Sequence, residues 1–419
     1  MLNPSPRQQA RLDLQPSLRS DRLAILPADF RLGVSTAAYQ IEGAAVEGGR
    51  GPSIWDTFAH TRGLTANGDN GDVACDHYHR WSHDLDLMAA LGIREYRLSV
   101  SWSRLQPEGS GGLNHEALGF YRSLLTGMRE RGIRPLVTLY HWDLPQVLED
   151  AGGWPARTTA ERFAEYAGRT VDGLGDLADD WITLNEPWCS AFLGYHTGAH
   201  APGRRNWSDA IAAAHHLNLA HGLAVAAIRA ARPNARIGIA NIVTDVQPHS
   251  DALADLAATE RLDAASNRIF LDPVYRGDYS DEVRTLIGAA GLDAVIQAGD
   301  LELIASPTDF AGINHYQRVI ARHDDDGGPL RIRETPAAPA TTSFGWSVIP
   351  ESLTAVLTRV SREFTSLPIL VTENGASYHD YLDPEGDVVD LERVDYLHGY
   401  LDALIDAVEL GVDVRGYYA

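Results

Sequence analysis

Pro368-Ile-Leu-Val-Thr-Glu-Asn-Gly375 is an apolar, β-branched run of strand length that stops abruptly at Thr372-Glu373-Asn374-Gly375. The pattern predicts a buried strand followed by a turn. Glu373 then stands at the carboxyl end of a strand, where parallel α/β folds carry their chemistry. A second stretch, Trp181-Ile-Thr-Leu-Asn-Glu-Pro-Trp188, has the same form and sets Glu186 at another strand end. One carboxylate after a strand is readily explained as a neighbour of a helix N-terminus, where the dipole favours it. Two of them, each beside an Asn, form a constellation.

Six more short apolar runs frame these two: Phe30–Thr36, Ile93–Val100, Ile133–Tyr140, Ala235–Ile242, Asp309–Asn314 and Val412–Ala419. Longer segments between them carry helical pattern and end at Gly or before Pro, as helices do. Trp81–Leu91 stops at Gly92, Leu118–Arg131 at Gly132, Thr159–Leu174 at Gly175, and Ser208–Ala231 before Pro233. Strand–helix alternation repeated eight times predicts a closed parallel (β/α)8 TIM barrel, which leaves no edge strand. An open doubly wound sheet is the competitor, but no GxGxxG follows the first strand. Residues 23–419 read as one barrel domain, and residues 1–22 as a disordered leader. Asp324–Ala340 reads as a loop-like insertion after the sixth strand. The chain stops at Ala419, so the expected barrel is truncated within its eighth strand, without a closing loop or eighth helix.

Composition narrows the chemistry. The 419 residues are 44% hydrophobic and 22% charged, enough for a full core. The formal net charge of −22 argues against nucleic acid or an anionic membrane as partner. All 35 basic residues are Arg, so no lysine is available for a Schiff base, pyridoxal phosphate or a P-loop. Cys75 and Cys189 make no framework and no CxxC, as in a reduced, cytoplasmic protein. No signal peptide is visible, and no run approaches the roughly 18 apolar residues of a membrane span. Cys75-Asp-His-Tyr-His79 has metal-like letters but opens a helix. Neither a metal nor a cofactor is expected. Cys189, and His215-His216 in an Ala-rich helix, read as packing residues.

Paired carboxylates do acid and nucleophile work at a glycosidic bond. Pro187 and Trp188 give Glu186 an apolar setting, where desolvation favours the protonated acid. Glu373 needs the opposite, a cation and hydrogen-bond donors. Arg97 lies in Tyr96-Arg-Leu-Ser-Val100, a strand otherwise meant for the interior, and a buried Arg calls for an anionic partner. Tyr316, just past the sixth strand, is a candidate donor.

Thr183-Leu-Asn-Glu-Pro187 and Thr372-Glu-Asn-Gly375 resemble the two catalytic signatures of glycoside hydrolase family 1, the β-glucosidase family. Further blocks fit in order from about residue 25 to the end: residues 30–43, Tyr96–Arg104, Leu139-Tyr-His-Trp-Asp-Leu-Pro145 and Gly312-Ile-Asn-His-Tyr316. The resemblance implies a retaining mechanism, with Glu373 as nucleophile and Glu186 as acid/base. It implies that Asn185 holds the sugar 2-hydroxyl, and that Arg97 and Tyr316 orient Glu373 with support from Asn314. Gln40, His141 and Trp142 would bind the non-reducing sugar, and Trp346 would form an aglycone platform. The implied substrates are aryl or alkyl β-glucosides and cello-oligosaccharides. Asn-Glu-Pro-Trp at Glu186 and the lack of Lys favour unphosphorylated sugars over 6-phospho-β-glucosides; β-galactosides and β-fucosides stay open. The family continues past the eighth strand with a Trp-rich loop and a Glu-Trp pair that hold the 4- and 6-hydroxyls. Their absence here makes an inactive sugar-binding fragment the alternative from another class. His315 stands where many members have Tyr, with little effect expected.

Overall fold

The computed structural model describes residues 20–419. The expected leader, residues 1–22, falls largely outside them; its described end is a helical turn, Ser20–Leu23. Eight strands close into a parallel barrel. They are β1 (Arg31–Ser35), β2 (Glu95–Ser99), β3 (Arg134–Tyr140), β4 (Asp180–Asn185), β5 (Arg236–Ile242), β7 (Phe310–Asn314), β10 (Ile369–Glu373) and β11 (Val414–Tyr418). Each lies within two or three residues of its predicted run. β11 pairs with β10 on one side and β1 on the other, so the last strand closes the ring.

The barrel interior is layered, as alternation along each strand requires. At the amino end, charges pair: Arg31 bonds Glu95 and Asp180, Arg134 bonds Glu95, and Arg236 bonds Asp180. Above them lies an apolar plug of Leu136, Ile182, Ala240, Phe310, Leu370 and Tyr418. The carboxyl end is polar and carries Arg97, Thr138, Asn185, Asn314 and Thr372, all at most 1% exposed. Outward-facing strand residues pack on the surrounding helices in two larger clusters.

One expectation needs correction. The insertion 324–340 is not all loop. Ile332–Pro336 forms β9, antiparallel to β8 (Arg318–His323), which pairs in turn with β6 (Asp245–Pro248). Val319, Ala321 and Ile332 pack on Leu262 beneath this small sheet, an apolar cue hidden among charges and prolines. The helix Trp207–Ala231 is long and apolar enough on average to cross a membrane, although His215, His216, Asn218 and His221 interrupt its apolar residues. Here 78% of its apolar window is buried, and the helix packs on Arg157–Leu174. Its His215 bonds Asp300 and Tyr279, and His216 bonds the Trp154 carbonyl, so both histidines are structural.

Candidate active site

Two irregularities in the ladder aim the site. Between Ile182 and Asn185, β4 carries one more residue than β5 opposite it. Between Val371 and Glu373, β10 gains one residue on β7. An extra residue reverses which side of the sheet the next side chain faces. Asn185 and Glu373 are thereby turned into the barrel mouth, although strict alternation would point each outward. Glu186 follows at once, with its backbone at φ 46°, and Trp142 after β3 stands at φ 79°. Neither is glycine, and such strain in non-glycine residues concentrates at functional sites.

Arg97 organises the mouth. Its Nη1 donates to Glu373 Oε1 at 2.5 Å, to the Thr372 carbonyl at 3.0 Å and to Ser35 Oγ at 3.2 Å. Its Nη2 donates to Asn185 Oδ1 at 2.6 Å, and its Nε to Thr138 Oγ1 at 3.3 Å. The guanidinium is 1% exposed, so its charge acts on Glu373 with little screening. The Tyr316 hydroxyl donates to the other oxygen of Glu373, Oε2, at 2.6 Å. Burial alone would push the Glu373 carboxyl up, but Arg97 and the Tyr316 hydrogen bond outweigh it and hold Glu373 below its ordinary value. His141 is kept neutral by burial, which pushes it down to about 4, so Arg97 is the cation that matters.

Glu186 sits in the opposite environment. It is 3% exposed and makes no ion pair among the described residues. Burial, reinforced by the charge of Glu373, pushes its carboxyl up to about 7. Asn314 Nδ2 donates to its Oε1 at 2.9 Å and also to Asn185 Oδ1 at 3.0 Å. Glu373, Arg97, Asn185, Asn314 and Glu186 therefore form one continuous hydrogen-bonded chain. One carboxyl in it is pushed toward the ionised form and the other holds its proton up to about pH 7, the division that acid/base partners need.

The remaining expected residues fall at the same mouth, with one loose fit. His141 Nε2 meets Asn185 Nδ2 at 3.1 Å, and its buried Nδ1 has no partner among the described residues. Trp142 Nε1 donates to the Asn185 carbonyl at 3.1 Å, and its ring stacks on Trp55. Trp346 is half-buried between Tyr316 and the exposed Phe344, with ring centroids 5.1 and 5.4 Å away. Gln40 lies on the short helix Ala38–Ile41 beyond β1, exposed and without a side-chain hydrogen bond among the described residues. His315 is buried against the Val243 carbonyl and Ser352.

Sequence reasoning missed several participants. Ser35, Thr138 and Thr372 bond the network through hydroxyls; a lone Ser or Thr late in an apolar strand was their signal. Cys189, expected only to pack, sets its Sγ 3.2 Å from Glu186 Oε2. The wide helical turn Cys189–Thr197, which starts just past Pro187, brings it back onto Glu186.

Comparison with known proteins agrees with this geometry. The family model described as Glycosyl hydrolase family 1 matches residues 23–419. A bifunctional β-D-glucosidase/β-D-fucosidase of Bifidobacterium breve is 43% identical over 415 residues, covering 94% of this chain and 89% of the relative. β-Glucosidase A of Acetivibrio thermocellus is 40% identical over 400 residues, covering 94% and 88%. Among solved structures, a β-glucosidase from Thermotoga maritima in complex with deoxynojirimycin superposes with a TM-score of 0.91 at 38% identity, covering 94% and 88%. A fold, two motifs and a family match of this extent establish that the chain belongs to glycosyl hydrolase family 1.

Proposed function

We propose that this chain is a retaining β-glucosidase that releases terminal non-reducing β-D-glucosyl residues from aryl or alkyl β-glucosides and cello-oligosaccharides. The observation that carries this reading is the contrast in partners within one hydrogen-bonded chain: Arg97 and the Tyr316 hydroxyl hold Glu373, whereas buried Glu186 meets, among the described residues, only the Asn314 amide and the Cys189 thiol. Glu373 attacks the anomeric carbon and forms a glycosyl-enzyme, while Glu186 gives its proton to the departing oxygen. Glu186, now a carboxylate, takes a proton from water, which opens the intermediate with net retention. In this reading Asn185, held by Arg97, Asn314 and His141, bonds the 2-hydroxyl as positive charge develops on the ring. Gln40, His141 and Trp142 bind the glycone, and Trp346 stacks on the aglycone. The names of the relatives support the sugar class, and the Bifidobacterium enzyme supports a second reading in which β-D-fucosides are also cleaved. Hydrolysis of p-nitrophenyl β-D-glucoside, followed by proton NMR, tests both mechanism and sugar. The β-anomer should form first. First formation of the α-anomer would exclude retention, and a higher kcat/KM for the β-D-fucoside would favour the second reading.

A further inference from the structure

Glu186 accepts hydrogen bonds at both carboxyl oxygens, and the two donors differ in kind. Arg97 can only donate, so the Asn185 atom it meets is the amide oxygen. The Asn314 atom shared between that oxygen and Glu186 Oε1 must then be the amide nitrogen, and Thr372 Oγ1 donates to its oxygen at 2.6 Å. An amide N–H has no acceptor form, so Oε1 stays an acceptor in every protonation state of Glu186. Oε2 faces Cys189 Sγ at 3.2 Å. Burial, with the Glu186 charge beside it, keeps the thiol neutral, and a neutral thiol is both a weak donor and a weak acceptor about one rotatable bond.

We infer that the proton Glu186 transfers resides on Oε2, and that Cys189 is the positioning residue that accommodates it. With Glu186 ionised, the S–H points at Oε2. With Glu186 protonated, the thiol turns and its sulfur receives the O–H, until the proton leaves for the glycosidic oxygen. Asn314 fixes which oxygen is free, and Cys189 makes either state of that oxygen tolerable. The inference rests on Glu186 being the acid/base. The charged and titratable groups facing Glu186 are Glu373 from β10, Arg97 from β2, Tyr316 beyond β7 and Cys189 itself.

The pH profile of kcat/KM tests it. A serine hydroxyl donates more strongly to a carboxylate than a thiol, so Cys189→Ser should move the alkaline limb down by about 0.5 pH unit. Cys189→Ala removes the donor and should move that limb up by about the same amount. The acid limb should hold still in both. A packing role alone would lower the melting temperature without opposite shifts. An alkaline limb that stays put in both variants, or moves the same way in both, would overturn the inference. In a Cys75→Ser background the remaining S–H stretching band should change with pH in step with the alkaline limb; a band constant across that limb would also overturn it. Glu186→Gln is the control: loss of the alkaline limb supports the underlying assignment, whereas its persistence overturns that assignment and, with it, the role given to Cys189; unshifted limbs in the Cys189 variants alone overturn only the latter.

Discussion

The Tyr316 hydroxyl donates to Glu373 Oε2, the oxygen opposite the one that Arg97 holds. Each oxygen of this carboxylate thus has a dedicated donor from a different strand end. A hydrogen bond to a charged group contributes about 1.5–3 kcal/mol. Tyr316→Phe should lower kcat/KM by about 10- to 100-fold. It should also raise the Glu373 carboxyl toward its ordinary value, moving the acid limb of the pH profile to higher pH. An unchanged acid limb would show that Arg97 alone keeps Glu373 ionised.

The two glutamates should fail in different ways. Glu373→Ala should lose nearly all turnover and regain part of it with azide or formate, which occupy the space of the missing carboxylate. Glu186→Ala should lose about 100- to 10,000-fold on alkyl glucosides. It should still release the aglycone rapidly from glucosides with strongly acidic leaving groups. Burst kinetics on a dinitrophenyl glucoside would separate the two behaviours.

Stability should depend on Glu186 in a defined window. Its carboxyl is raised from 4.5 to about 7 in the folded state. A carboxyl raised by folding favours the folded state at low pH. That contribution is complete below about 4.5 and is lost as pH rises through about 7. Guanidinium unfolding at both ends of this window should show wild type losing on the order of 2 kcal/mol relative to Glu186→Gln. Equal pH dependence in the two proteins would contradict the burial argument.

Gly312 lies two residues before Asn314, inside the barrel wall. A Cβ there would stand 2.8 Å from the Ile239 carbonyl oxygen and 3.2 Å from Thr372 Cγ2. Gly312→Ala should cost about 1–3 kcal/mol in denaturant unfolding, because the wall has no room to give. It should also lower kcat, since Thr372 and Asn314 share the displaced region.

The eight strands were legible because each is a short apolar run closed by a turn, and the two glutamates because each breaks such a run. Arg97 stood out as a charge where the pattern asked for an apolar residue. The small sheet formed by β6, β8 and β9 was not legible, since its apolar residues are few and flanked by Asp, Arg and Pro. The two ladder irregularities were also hidden. Alternation from inward-facing Ile182 points Leu184 inward and Asn185 outward, and only the register against the partner strand reverses them. Cys189 looked inert because its contact depends on how the chain turns after Pro187, which local preference does not specify.

The left-handed backbone at Glu186 has an evolutionary consequence. Glycine adopts that conformation freely, whereas glutamate does so at a cost of about 1–3 kcal/mol. Glu186→Gly would relax the chain and empty the site in the same step. Heat resistance and turnover therefore select for different residues at one position. A library of this protein screened for melting temperature alone would drift away from Glu186, and only a screen that also requires hydrolysis would keep it.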